Sequence, residues 1–416
     1  MTPGARVAAA IEVLDAINAG TPAEKALQSW ARGARYAGSK DRAAVRDHVF
    51  DVLRRWRSSA AMGGAMTGRG RMIGVLRLQG MDPATLFTGA GHAPDALSPA
   101  ELRADASASH EEMRDLPDWL WPHFQRSLQD NAEPTAEALR HRAPVTLRVN
   151  QRRGSVRQAQ ERLAAENIET VEVDLAKNAL QVTAGARKVA QSSTYAYGHV
   201  ELQDASSQAA MERLEIPPGA RVLDFCAGGG GKLLALASRV EGTWFAHDAA
   251  PARMTDLPAR ATRAGIHATR LETADLAAAA SFDVVLCDVP CTGSGTWRRA
   301  PEAKWRLTPD RLSELTRIQS AILRQASALV APDAWLGRYD TGPGTSRLAY
   351  GGPPAEADVV HFERQLWSEN PVAPPETVTA ERTALVGRED YTHGDLLARA
   401  EALVESHGIQ AGDRVE

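Results

Sequence analysis

Apolar positions along the chain follow three successive patterns. From residue 4 to about 130 they recur at helical spacing: Val7, Ile11, Leu14 and Ile17 form one stripe, and Val45, Val49, Leu53 and Trp56 share a face of a helix over 39–56. "TPAE" at 21–24 reads as a capping box, with Thr21 capping, Glu24 reaching back and Pro22 opening the helix, and "SPAE" at 98–101 repeats it. From Pro144 to about Gln203 short strands are predicted at "VTLRVN", "TVEVDL" and "ALQVTA", with a helix at "VRQAQERLAAENI". From Ala220 strand and helix alternate: "RVLDFCA", the helix "KLLALASRV", "TWFAHD", the helix "PARMTDLPARATRAG", "ATRLETAD", then the nearly all-apolar "FDVVLCD" and a long helix from Thr308 to about Val330. After Pro332 the pattern loses coherence in a Gly- and Pro-rich stretch. The last residues, about 380–416, read as a strand, a turn and an amphipathic helix.

This order predicts an α/β fold, a doubly wound parallel sheet of Rossmann-like type whose ligand sits at the C-terminal ends of the strands. The expected parts are a helical domain over 1–135, a small α/β module over 136–205, the parallel-sheet domain over 206–335, an irregular stretch over 336–371 and a separate, loosely ordered tail over 372–416.

Composition narrows the chemistry. The chain has 416 residues and a net charge of −4, so a nucleic-acid site must be a local basic patch. One such patch lies between Arg32 and Arg57, with eight Lys/Arg against three Asp; it reads either as a solvated helix face or as phosphate-contacting residues, Arg42 and Arg46 among them. Arg140, Arg142, Arg148, Arg152 and Arg153 make the start of the α/β module basic. No apolar run approaches the roughly 18 residues of a membrane span, and "MTPGARVAAA" lacks a signal-peptide pattern; the expected compartment is the cytoplasm. The three cysteines are Cys226, Cys287 and Cys291. They are too few for a structural zinc site, and no metal is expected. Cys226 and Cys287 lie in or at the end of apolar runs and read as buried thiols, whereas Cys291 falls among Gly, Thr and Ser, where a side chain can face a cleft.

"VLDFCAGGGGKLLALA" is a strand, a glycine-rich turn and a helix, in which backbone N–H groups can approach a ligand closely. Its spacing is not that of a Walker A loop, and a nucleotide-like cofactor is expected over Cys226, Ala227, Gly228, Gly229, Gly230, Gly231 and Lys232. Asp248, Asp275 and Asp288 follow successive strands: Asp248 stands where a carboxylate can accept from both ribose hydroxyls, Asp275 could meet an adenine amino group and Asp288 the cofactor's amino-acid end. S-adenosyl-L-methionine, cationic and with free ribose hydroxyls, fits this set. Cys291 would then place a thiol beside the methyl donor. A thiolate adding to C6 of cytosine activates the otherwise poorly nucleophilic C5. Arg298, Arg299, Lys304 and Arg306, interleaved with Trp297 and Trp305, suit phosphate neutralisation and base stacking, although each Trp could equally be core.

"LQDASSQ", "VLDFCAGGGGK", "FAHDA", "VLCDVPCTGSGTWRRAPEAKW" and "RIQSAIL" together resemble the Sun/RsmB-type RNA cytosine-C5 methyltransferases. "WARGARYAGSKDRAAVRDHVFDVLRRW" resembles that group's NusB-like RNA-binding domain. The resemblance covers about residues 1–335. It implies a small-subunit ribosomal RNA substrate, S-adenosyl-L-methionine bound by the Cys226–Lys232 loop with Asp248, Asp275 and Asp288, RNA contacts from residues such as Arg42, Arg46, Arg148, Arg298, Arg299, Lys304 and Trp305, and a product-releasing role for Cys291. The family's nucleophile is a second cysteine in a Thr-Cys-Ser motif after the fifth strand. Here that region reads "WLGRYDTGPGTSRLAYGGPPAE", with no cysteine after Cys291. Turnover is therefore expected to be impaired, or Cys291 to act alone, as the Pro-Cys thiol does in DNA cytosine-C5 methyltransferases; the alternative is an inactive RNA-binding protein that keeps the cofactor pocket. "TALVGREDYTHGDLLARAEALVESHGIQAGDRVE" resembles the start of AMP-forming acyl-CoA synthetases but lacks their phosphate loop, so no adenylation is expected.

Overall fold

A computed structural model describes residues 1–103, 107–342, 345–351 and 360–364. The described chain divides into two compact units, one of residues 1–143 with 293–308, the other of residues 144–292 with the described residues from 309 onward. Among the described residues no helix is long and apolar enough to cross a membrane.

The first unit is helical, with its main helices at Pro3–Asn18, Ala23–Gly33, Ser39–Arg54, Trp56–Gly63 and Gly68–Leu78. The predicted stripe is the core: Val7, Leu14, Val45, Val49 and Leu53 are buried with Met72, Ile73 and Leu76. Helices 56–63 and 68–78 meet backbone to backbone, since a Cβ on Gly74 would lie 1.8 Å from the Ser59 carbonyl oxygen. Of the two expected capping boxes one forms. Ser98 and Glu101 exchange N–H bonds at 3.2 and 2.8 Å. At 21–24 the cap position falls on Pro22 with no side-chain bond, because Glu24 is held by Arg46 at 2.7 and 2.5 Å instead of reaching back. A tertiary ion pair has displaced a local cap.

The second unit contains two sheets. The smaller comprises β1 (Val145–Val149), β2 (Glu169–Glu172), β3 (Ala179–Ala184) and β4 (Val200–Leu202), antiparallel in the order β2-β3-β1-β4. Helix Val156–Ala165, opened by a Ser155/Gln158 capping box, buries Ala159 and Leu163 against Leu147, Val149 and Leu180. The three-residue β4 was not among the strands read from sequence.

The larger sheet comprises β5 (Arg221–Asp224), β6 (Thr243–Ala246), β7 (Ala268–Arg270), β8 (Phe282–Asp288), β9 (Val330–Gly342), β10 (Thr345–Gly351) and β11 (Val360–Arg364), in the order β11-β10-β9-β8-β5-β6-β7. Strands β5 to β9 pair in parallel, and β10 is antiparallel to both its neighbours. The third expected strand is shorter than predicted: β7 ends at Arg270, and Thr273–Asp275 is a single 3₁₀ turn. Strand structure also runs through part of the stretch expected to be irregular, with β9 continuing to Gly342. The chain winds from β5 through β6 to β7 and then returns to place β8 on the other side of β5. That reversal opens a crevice at the C-terminal ends of β5, β6 and β8, where α/β sheets bind ligands. The acyl-CoA-synthetase-like reading of 372–416 lies outside the described residues.

Candidate active site

In register, Asp224 pairs with Ala246 on one side and Leu286 on the other, so the chains leaving β5, β6 and β8 emerge on one rim. The turn after β5 enters the left-handed region at Gly228 (φ +50°) and Gly230 (φ +75°), the latter starting helix Gly231–Ala237. At Gly230 a side chain is excluded twice, by φ and by Leu257 Cδ1, 2.2 Å from where a Cβ would stand. Neighbouring chain fixes the loop from every side. Ala227 N–H donates to the His247 carbonyl at 2.8 Å, Gly228 N–H to Asp248 Oδ2 at 3.0 Å, and Arg260 to the Gly229 carbonyl at 2.5 Å. Arg148 and Gln203 donate to the Gly231 carbonyl at 2.8 and 3.2 Å.

Asp248 is only 3% exposed. Besides Gly228 N–H it accepts from Ala250 N–H at 2.9 Å and pairs with the exposed Arg253 at 3.1 Å. It therefore braces the glycine loop. Asp288 is half-buried and binds Lys232 Nζ at 2.6 Å, joining the ends of β8 and the glycine loop. Asp275 is exposed on its 3₁₀ turn, farther out along the rim.

A fourth acid escaped the sequence reading. Asp224, the last residue of β5, is 1% exposed, and neither carboxylate oxygen has a well-formed hydrogen bond; the Cys226 N–H offers only a weak one. Burial, reinforced by the charge of Asp288 and opposed by Lys232, pushes its carboxyl up to about 7. A buried acid without adequate donors is costly to ionise, so a cation delivered to this rim would relieve it. The available signal was an acid inside the otherwise apolar run "VLDFCA" that leads into the glycines.

The three thiols separate by environment. Cys226 is 9% exposed, and burial, with the nearby charges of Asp224, Asp248 and Asp288, pushes it up to about 12. Cys287 is fully buried among Leu223, Phe225 and Val285. Both thiols are buried, as expected. Cys291 is half-buried in the loop that leaves β8, and Gln319, on helix Pro309–Ser327, steadies that loop by donating to the Pro290 carbonyl at 3.0 Å. Gln319, inside the quoted "RIQSAIL", had not been given a role.

The residues expected to touch RNA fare unevenly. Three are corrected. Lys304 is fully buried in the helical unit, its amine donating to the Arg54 carbonyl at 3.2 Å; burial, partly offset by Asp115, pushes it down to about 7. Trp305 donates its indole N–H to the Leu53 carbonyl at 2.8 Å. Arg148 is 5% exposed and spent on Gln203 and Gly231. Lys304 and Arg148 are buried and Trp305 is half-buried, and the hydrogen bonds named for them run to carbonyls and an amide oxygen inside the protein, although Arg148 Nε has no partner among the described residues. Trp297, the other aromatic of that stretch, is also core, stacked on Phe124. Arg298 is partly engaged, donating to the carbonyls of His141 and Arg142 at 3.2 and 3.0 Å. Arg46 is exposed but paired with Glu24, whereas Arg42 and Arg299 are exposed.

Residues 211–339 match the model of the family described as 16S rRNA methyltransferase RsmB/F, and residues 116–189 match the ferredoxin-like domain of RsmF/B-like methyltransferases. The probable ribosomal RNA small subunit methyltransferase B of Bacillus subtilis is 33% identical over 193 residues, 44% of this chain and 43% of that protein. The ribosomal RNA small subunit methyltransferase B of Yersinia enterocolitica is 26% identical over 322 residues, 68% of this chain and 74% of that protein. The chain thus spans about half the length, or less, of the Bacillus relative. Among solved structures, the crystal structure of PH0851 superposes with a TM-score of 0.64 at 22% identity, covering 82% of this chain and 86% of that one; at that identity it speaks for the fold. The chain is therefore similar to the RsmB/F group of small-subunit rRNA methyltransferases over residues 116–189 and 211–339, and its parallel-sheet domain has the Rossmann-like fold of S-adenosyl-L-methionine methyltransferases.

Proposed function

We propose that the chain binds S-adenosyl-L-methionine on the β5–β8 rim and directs it at C5 of a cytosine in small-subunit ribosomal RNA, with turnover impaired by the lack of a second cysteine. The observation that carries the reading is the convergence, on adjacent strand ends, of the glycine loop, the under-solvated Asp224, the Lys232–Asp288 pair and the Cys291 loop. These residues fit the cofactor. Gly228 and Gly230 leave its approach open, Asp248 and Asp275 stand ready for ribose and adenine, and Asp224 with Asp288 supplies negative charge for its cationic end. The bound cofactor would supply an electrophilic methyl group.

The remaining chemistry belongs to the protein and the RNA. The Cys291 thiolate would add to C6 of the pyrimidine and raise electron density at C5, which would take the methyl group; a base such as water then removes the C5 proton as the thiolate leaves, restoring the ring. In the resembled family two thiols share these steps. Here the sequence has none beyond residue 291, so one sulfur would have to enter and leave. The same fact favours a second reading, a non-catalytic RNA-binding protein that retains the cofactor pocket. Unmodified small-subunit RNA and methyl-labelled cofactor distinguish the two. Slow labelling of cytosine that disappears in Cys291→Ser supports the impaired enzyme, and cofactor binding without any labelling supports the scaffold. The helical unit would hold the RNA through exposed cations such as Arg42, with Arg299 adding charge from the 293–308 segment. No part of this function is assigned to residues 372–416.

A further inference from the structure

We infer that Tyr36 is a stacking platform for an unpaired base of single-stranded RNA, set in a cationic collar on the helical unit. This rests on the RNA-binding reading above and names the surface that performs it. Residues 34–37 form a tight turn between helices 23–33 and 39–54, closed by Ala37 N–H donating to the Ala34 carbonyl at 3.0 Å. Ala34 and Ala37 are 3% and 4% exposed, so both feet of the turn are anchored in the core, and Arg35 and Tyr36 at its tip are forced outward. Tyr36 is 74% exposed.

The turn is braced from behind. Arg42 Nε donates to the Ala37 carbonyl at 3.0 Å, and Asp41 is held by Gly38 N–H, Arg6 and the chain's amino terminus. Asp41 is the only acid between residues 32 and 42 and is thereby spent internally, whereas Arg32, Arg35 and Lys40 are exposed and have no ion-pair partner among the described residues. An outward aromatic ring on an anchored turn is open to stacking, and every base offers it a π-face. The surrounding cations suit a phosphate backbone, and a duplex, whose bases are already stacked, cannot use the ring. An acidic protein partner would satisfy the cations without needing a planar ring in their midst, so the aromatic favours RNA.

The test is fluorescence anisotropy of the full chain with a short, labelled single-stranded oligoribonucleotide, without cofactor. Tyr36→Ala should weaken binding by about fivefold to a hundredfold, Tyr36→Phe should restore it, since stacking needs the ring and not the hydroxyl, and Arg35→Ala should lower the slope of log affinity against log salt by about 0.7. If the unmutated chain binds the strand but Tyr36→Ala binds equally well, or if a duplex or base-free polyphosphate binds as tightly as the strand, the platform is refuted while the wider RNA reading stands. If the unmutated chain binds no strand, both are refuted.

Discussion

The rim of the parallel sheet and the segment 293–308 are the two stretches richest in chemistry-bearing side chains, and they put them to opposite uses. On the rim Asp224 is buried without adequate hydrogen bonds, and Asp288 accepts from Lys232, just after a glycine turn in which Gly230 leaves no room for a side chain. In the segment the Lys304 amine and the Trp305 indole N–H donate to carbonyls of the helical unit, and the buried Trp297 ring stacks on Phe124. Residual polarity left unmatched at a strand end marks a place awaiting a ligand, whereas polarity satisfied internally marks a joint. Composition does not distinguish the two; the hydrogen bonds of their buried charged groups do.

Asp224→Asn should sharpen this contrast most. The carboxyl of Asp224 lies higher in the folded protein, at about 7, than its ordinary value of 3.8. Its contribution to stability is therefore fully present below about pH 4 and lost as pH rises through 7. Replacing it should stabilise the cofactor-free protein at pH 8 by about 2–4 kcal/mol while leaving stability at pH 4 nearly unchanged, as read by urea unfolding. Equal stability at both pH values would remove the claim that the rim holds an unrelieved charge. Gly230→Ala, by contrast, should destabilise by about 2–3 kcal/mol, because Leu257 must move and the residue must keep a positive φ; thermal unfolding checks it.

Asp248→Ala should weaken cofactor binding by about 1–3 kcal/mol in calorimetry, the scale of a lost charged hydrogen bond. Since Asp248 also holds Gly228 N–H, the loss should persist with a cofactor analogue lacking the ribose hydroxyls. A variant penalty confined to the intact ribose would show that the brace is unimportant. The smallest effect belongs to the joint: Lys304→Met should leave the salt dependence of RNA binding unchanged. The Lys304 amine lies lower in the folded protein than its ordinary 10.5, so wild-type stability falls as pH drops from about 10 through 7. The variant should gain on wild type over that range, on the order of 1–3 kcal/mol. A reduced salt slope would return Lys304 to the RNA surface.

Much of this was legible in sequence. Strong periodicity located the helical core at Val45, Val49 and Leu53, and the apolar run "FDVVLCD" located β8, since patterns of that length are dictated by burial. The glycine turn was legible because few residues other than Gly tolerate its φ values. What escaped depended on partners distant in the chain. Glu24 was drawn from its local cap by Arg46, twenty-two residues away, and nothing in "TPAE" reports that. Lys304 and Trp305 had the composition of an RNA surface, but their carbonyl partners lie some 250 residues earlier. Asp224 was passed over for the converse reason: the strand that buries it is ordinary, and the missing hydrogen bonds become visible only once the neighbours of β5 are in place.

The most direct test is a calorimetric titration of S-adenosyl-L-methionine into the full chain between pH 6 and 8. Binding of a cationic ligand beside Asp224 should proceed with one site per chain, strengthen as pH rises through about 7 and lose that pH dependence in Asp224→Asn. Absence of binding, or binding equally tight in the variant at every pH, would contradict the account.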